Sequence, residues 1–127
     1  MDYARFAHML LKGGALDGNR VLGRKTVELM TTDHLGSWID RGAFFLPGLN
    51  GGYSLMGAVR TAGPRAPAPL NPMEGSVGEF YWAGYAGTYF WVDPKEELVG
   101  VYMMQSVKNL LWFATQFKAL AVQAMVE

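Results

Sequence analysis

Few residues of the chain have a type and spacing suited to nucleophilic catalysis. There is no cysteine, which excludes a thiolate nucleophile and a disulfide within the chain. A serine can act as a nucleophile when a lysine three residues further along a helix serves as its base. None of the serines has a lysine there; they are Ser37, Ser54, Ser76 and Ser106. Thr115 and Lys118 have this spacing, but both fall within an amphipathic stretch, which favours a structural role.

The acidic and imidazole side chains also favour structural roles. Asp93, Glu96 and Glu97 cluster at a turn that contains a proline, where a solvated hairpin tip is the expected setting. His8 lies beside the apolar stripe of one predicted helix, and His34 follows another, where an imidazole can cap backbone carbonyls. Because no third ligand has a useful spacing, the sequence predicts no metal site and no other cofactor.

Composition indicates one folded domain and argues against several classes of partner. The chain has 127 residues, of which 50% are hydrophobic and 13% aromatic, enough for a real core. Its 11 basic and 11 acidic residues balance and form no basic stripe, so nucleic-acid binding is not expected. No apolar run reaches the roughly 18 residues of a membrane span. The N-terminus lacks the order of a signal peptide, and the compartment stays open.

Two helices are predicted near the start of the chain. Apolar residues recur at i, i+3, i+4, i+7 and i+8, which is one face of a helix; they are Tyr3, Phe6, Ala7, Leu10 and Leu11. We expect Asp2 to cap this helix and Gly13 to end it. A second short helix is predicted from Lys25 to Thr31.

The middle of the chain combines predicted loops with one predicted strand. Residues 33–50 mix glycine, proline and large apolar residues and indicate a packed loop. Residues 52–60 are predicted to form a single strand with Tyr53, Leu55 and Val59 on one face. Residues 61–73 hold four prolines, which exclude a helix or a central strand there. We interpret that segment as an extended surface excursion.

The second half predicts three strands and a final helix. The strands cover residues 77–82, 88–92 and 98–105, and the last two form a hairpin around Asp93 and Pro94. These two strands are apolar on both faces, so we expect cover on both sides of the sheet. Ser106 is predicted to cap a helix that runs to about Val126. Lys118 is predicted to lie outside the buried apolar stripe of this helix.

The residues 79–105 resemble the C-terminal hairpin of serine β-lactamase-related hydrolases, the branch of class C β-lactamases and esterases. The stretch begins Glu-Phe-Tyr-Trp-Ala-Gly-Tyr-Ala-Gly-Thr-Tyr-Phe-Trp-Val-Asp-Pro. The start of the chain, Asp-Tyr-Ala-Arg-Phe through Leu-Leu-Lys-Gly-Gly, is similar to the helical segments that precede this hairpin in the family. The resemblance covers most of the chain, and the proline-rich segment matches least.

The resemblance implies a role for Trp82, Ala83 and Gly84. The family uses Ser-x-x-Lys, a Tyr-x-Asn element and a Lys-Thr-Gly triplet on a pocket strand, and only the triplet has a counterpart here. Tryptophan replaces the lysine that helps to hold a substrate carboxylate, a change that favours an esterase. By resemblance, Trp82 would form an apolar wall, and Gly84 would let substrate approach the backbone. The N–H of Tyr85 would serve as one oxyanion donor. Core packing of Trp82 is the competing interpretation.

The sequence therefore predicts an α/β fold, α+β in the strict sense, with an antiparallel sheet between helices. Residues 1–127 would be the C-terminal segment of a hydrolase domain, inactive alone, whose parent acts on a small ester or amide. The alternative is a non-catalytic binding or assembly module with the same sheet. Because the last strand would be an apolar edge, we expect self-association through it.

Overall fold

The computed structural model describes residues 1–36, 38–39, 51–62, 75–109 and 111–125. Most of the predicted packed loop and of the proline-rich segment lies outside these ranges. The helices and strands follow one another as α1 Asp2–Leu11, β1 Ala15–Leu16, β2 Asn19–Arg20, α2 Arg24–Thr31, β3 Gly51–Tyr53, β4 Ala58–Arg60, β5 Phe80–Ala83, β6 Tyr89–Asp93, β7 Leu98–Tyr102 and α3 Trp112–Gln123.

Five strands form one antiparallel sheet in the order β3-β4-β5-β6-β7. Strands β6 and β7 pair over five residues, from Tyr89 opposite Tyr102 to Asp93 opposite Leu98. The predicted turn between them is confirmed, and Asp93 Oδ1 accepts the backbone N–H groups of Lys95 and Glu96. A separate two-stranded ribbon, β1-β2, follows α1. The predicted α+β fold with an antiparallel sheet is confirmed.

Helix α1 covers one face of the sheet. Its buried residues Ala7, Met9 and Leu10 pack with Phe90 and Val92 of β6. The predicted helix is thus present, but its predicted cap is wrong: Met1 occupies the N-cap position and no side chain caps the helix. Asp2 lies in the first turn instead, where its negative charge suits the helix dipole.

Helix α3 contributes to the core on the opposite face. Ala114 is fully buried there with Tyr81, Tyr89 and Trp91, and Phe117 makes an edge contact with the Trp91 ring at 5.7 Å between centroids. Every residue of β6 is buried. The prediction that both faces of these strands are covered is therefore confirmed for β6, whereas β7 is only half-buried apart from Gly100.

The strand predicted over residues 52–60 is wrong, because the chain reverses within it. Strands β3 and β4 pair with each other, and Ser54 N donates to Gly57 O at 2.7 Å to close the turn. Gly57 has φ +138°, a backbone conformation open to glycine. Tyr53 and Leu55 are exposed while Val59 is buried, so they do not form one apolar face.

The C-terminal predictions also need correction. Strand β7 ends at Tyr102 rather than Gln105, and α3 begins at Trp112 rather than after Ser106. The backbone N–H of Ser106 donates to Ala86 O at 2.9 Å, so Ser106 is held by the β5-β6 turn and caps no helix. Lys118, predicted to lie away from the buried face of α3, is instead fully buried.

Candidate functional site

The triplet Trp82-Ala83-Gly84 lies where β5 ends and the chain turns towards β6. Trp82 pairs with Phe90 and Ala83 with Tyr89. Strand β4 pairs with β5 only at Phe80 and Tyr81, so the triplet extends past Ala58, the first residue of β4. In the described part of the chain, the edge of β5 opposite β6 is therefore unpaired at the triplet. An unpaired strand edge can present backbone groups to a ligand.

The turn after the triplet depends on glycine. Gly84 N donates to Thr88 O at 2.8 Å, and Gly87 N donates to Gly84 O at 2.9 Å. A Cβ added to Gly84 would lie 2.1 Å from Thr88 Oγ1, which is too close for any larger residue without rearrangement. Gly87 has φ +86°, which favours glycine. The backbone of the hairpin thus favours glycine at position 87, and the close contact with Thr88 favours it at position 84, in addition to any role at a binding site.

Tyr85 occupies the tip of this turn. Its side chain is 80% exposed. Across the described residues, its backbone N–H takes part in no hydrogen bond. Unpaired backbone donors are rare where they are buried and ordinary where they are exposed, so the N–H of Tyr85 is available to an acceptor outside the chain.

An apolar cleft of about 200 Å³ adjoins the triplet. Trp82, Ala83 and Gly84 line it together with side chains from α1, β6 and the end of β7; these are Tyr3, Thr88, Tyr89, Phe90, Val101 and Met103. The structure thus brings three of the four site residues predicted from the sequence to one cleft. Tyr85 does not line it, but its N–H directly follows Gly84.

Trp82 is half-buried, so its position is compatible with both interpretations, and its role at a binding site stays a prediction. Its ring packs edge-on against Tyr53 with 5.2 Å between centroids, which is a core contact. It also lines the cleft. One indole can hold the end of the β3-β4 hairpin and form a flat wall towards the cleft.

Sequence reasoning missed the contributions of Tyr3 and Met103. The sequence pattern places Tyr3 only in the packing stripe of α1, yet the residue lines the cleft and makes an edge contact with Phe90 at 5.3 Å between ring centroids. Burial raises the pKa of its phenol above 10.0. Met103 follows β7 and is exposed. Their convergence depends on how α1 crosses the sheet, which the sequence pattern does not encode.

The structure also locates the histidines and acidic residues. His34 Nε2 lies 2.7 Å from Leu29 O in the last turn of α2, which confirms the predicted capping role. Asp93 is buried rather than solvated, and Ser76 N also donates to its carboxylate at 2.9 Å. Within the described residues, no cluster of three or more potential metal ligands occurs, and no helix there is long and apolar enough to cross a membrane.

The model of the beta-lactamase family matches residues 1–123. The chain belongs to the beta-lactamase family. The match includes both α1 and the β5-β6-β7 sheet, so the resemblance noted at these segments reflects membership rather than a short motif, and the α+β sheet is compatible with part of a beta-lactamase-like fold.

Two curated proteins are similar to this member of the beta-lactamase family. They are the uncharacterized protein MT1414 of Mycobacterium tuberculosis strain CDC 1551 / Oshkosh and protein Rv1367c of Mycobacterium tuberculosis strain ATCC 25618 / H37Rv. Each is 38% identical over 115 residues, which are 86% of this chain and 27% of the relative. The chain therefore spans about a quarter of the length of these relatives.

Proposed function

We propose that this chain is the pocket-strand segment of a serine hydrolase that acts on esters. Membership in the beta-lactamase family supports a hydrolase origin. In the proposed complete enzyme, another part of the protein supplies Ser-x-x-Lys, which residues 1–127 do not contain. The observation that carries the proposal is the unpaired N–H of Tyr85 beside a cleft that the triplet lines.

The proposed chemistry is stabilisation of an oxyanion. When a serine attacks an ester carbonyl, negative charge develops on the carbonyl oxygen, and a fixed N–H donor lowers the barrier because it needs no reorganisation. Gly84, fixed by its hydrogen bond to Thr88, holds the following N–H in a defined turn. A second donor would come from the N–H of the nucleophile itself.

The cleft supports an ester rather than a substrate that carries a carboxylate beside the reacting bond. None of the described residues that line it is charged. Burying a carboxylate without a partner is costly, and an indole at position 82 supplies no compensating charge. A neutral acyl or alcohol group would meet no such penalty.

The first experiment tests the isolated chain with a serine-reactive phosphonate and a chromogenic short-chain ester. We expect no covalent adduct by intact mass and no turnover, because the chain holds no serine with a paired lysine. A chimera tests whether the segment supports hydrolysis when a nucleophile is present. In it, residues 1–123 are fused after the nucleophile-bearing part of a family member with measured esterase activity. Adduct formation and turnover by the chimera would support the proposal, and a stoichiometric adduct on the isolated chain would contradict it.

A second candidate function, an assembly module, is favoured by the edge of the sheet. Strand β7 pairs only with β6 among the described strands, and its residues Leu98, Val99 and Val101 are half-buried. An apolar strand with free backbone groups can pair with another strand. We therefore also propose self-association through β7, a contact that the hydrolase segment and a binding module would share.

A further inference from the structure

We propose that the apolar cleft beside the triplet selects the substrate: it binds one unbranched apolar chain of about six carbons attached to the reacting carbonyl group. This inference rests on the proposed function, since it places the carbonyl oxygen at the N–H of Tyr85. It adds the substrate class, a medium-chain ester, and assigns specificity to Tyr3, Val101 and Met103.

The size of the cleft determines the length of the substrate chain that it binds. Its volume is about 200 Å³. A methylene-sized group occupies roughly 30 Å³, similar to the share of one water in liquid, so the cleft accommodates about six such groups. A two-carbon acyl group would leave most of the cleft empty and forgo its dispersion contacts.

The apolar residues that line the cleft favour an apolar substrate chain. Trp82 and Phe90 provide aromatic surfaces, and Val101 and Met103 provide aliphatic ones. Each methylene moved from water to such surroundings strengthens binding by roughly fourfold. Methionine adapts to chains of differing shape because its side chain is unbranched and flexible. The side chain of Met103 is mostly exposed, so it can close over a bound chain without disturbing the core.

The position of the cleft links it to the reacting carbonyl. Gly84 lines the cleft and is bonded directly to Tyr85, whose N–H is unpaired in the described residues. A chain in the cleft therefore ends one residue away from the donor. Tyr3 closes the α1 side, and its edge contact with Phe90 fixes that wall.

The test measures binding without hydrolysis, so that it is independent of the missing nucleophile. The probe is heptan-2-one, a stable ketone that carries a five-carbon chain on its carbonyl, and acetone is the short-chain control. The 127-residue chain is labelled with 13C at the methionine methyl groups and with 15N, and the Met103 methyl and Trp82 indole N–H resonances are followed by NMR. We expect saturable shifts at both residues and an affinity for heptan-2-one at least tenfold higher than for acetone.

Two variants identify the binding site. Met103→Trp fills the mouth of the cleft and should weaken binding of heptan-2-one at least fivefold, and the exposed position of Met103 leaves the packed core unchanged. Leu29→Trp places the same ring at an exposed position on α2 and should leave binding unchanged. Equal affinity for the two ketones, absence of shifts at Met103, or binding unaffected by Met103→Trp would each overturn the inference. These outcomes leave the proposed oxyanion role standing, because that role is tested by turnover in the chimera.

Discussion

Lys118 Nζ lies 2.6 Å from Glu79 Oε1, and both side chains are 1% exposed. The pair connects α3 to the residue that directly precedes β5, the strand that ends in the triplet. Arg60 Nη2 approaches the same carboxylate oxygen at 3.9 Å, and the Lys118 ammonium also lies 5.5 Å from the centre of the Trp91 ring. The start of β5 is thus fixed by a buried ionic contact as well as by the sheet.

Replacing Lys118 by methionine should strongly destabilise the chain. The substitution leaves the Glu79 carboxylate buried with a weaker cationic neighbour, and breaking a buried pair in this way costs about 3–5 kcal/mol. Urea denaturation followed by tryptophan fluorescence measures the loss. As a control, Arg5→Ala removes an exposed ion pair with Asp17 and should cost less than about 1 kcal/mol. Similar losses of unfolding free energy in the two variants would show that the buried pair stabilises the chain no more than an exposed pair does.

The stability of the chain should rise with pH in the alkaline range. Burial lowers the pKa of Lys118 below 10.5, although the Glu79 carboxylate opposes this shift. Between the lowered value and 10.5, the unfolded state binds more protons than the folded state, so the free energy of unfolding increases with pH. Below the lowered pKa both states hold the proton, and the penalty for burying the charge is constant.

The titration of Tyr89 limits the pH range over which the effect of Lys118 on stability can be measured. Burial raises the pKa of Tyr89 well above 10.0, so folding disfavours the phenolate and stability falls again above 10.0. Measurements should therefore stay below that pH. Lys118→Arg is the matched control, because a guanidinium keeps its charge throughout. We expect the free energy of unfolding to rise more steeply with pH in the original chain than in this variant, and parallel profiles would contradict the assignment.

Self-association should involve β7 and leave β3 unchanged. Both strands lie at edges of the sheet, but β3 has three residues, two of them glycine, whereas four of the five residues of β7 have large apolar or aromatic side chains. We expect the mean mass from light scattering to grow with protein concentration. Amide exchange should slow with concentration in β7 and remain constant in β3. A monomer at high concentration would exclude the association.

The sequence predicted those parts of the fold that depend on local pattern. The 3.6-residue period of α1, the apolar run of β6 and the Asp93-Pro94 turn each carry their own signal. The alternating pattern of residues 52–60 does not reveal the break at Gly57, whose positive φ makes it part of a turn. The position of Lys118 was missed because its partner Glu79 lies 39 residues away, and no periodicity reveals a contact of that separation.

The part of the candidate site that depends on local sequence was also predictable. Trp82, Ala83 and Gly84 are contiguous, so a short resemblance could locate them. The cleft also needs Tyr3 from α1 and Met103 from beyond β7, which come together only when the helix packs across the sheet. Sequence reasoning therefore indicated the strand and its chemistry but gave no size for the pocket.

The central claim is that the backbone N–H of Tyr85 stabilises an oxyanion, and the most direct test removes that donor. In the active chimera, Tyr85→Pro deletes the N–H, while Tyr85→Ala keeps it and removes only the exposed ring. We expect kcat for ester hydrolysis to fall by about 10²–10³ in the proline variant and by no more than about threefold in the alanine variant, with both variants showing the same thermal unfolding midpoint within a few degrees. Comparable kcat values in a folded proline variant and in the alanine variant would contradict the assignment of Tyr85 and, with it, the proposed role of this strand.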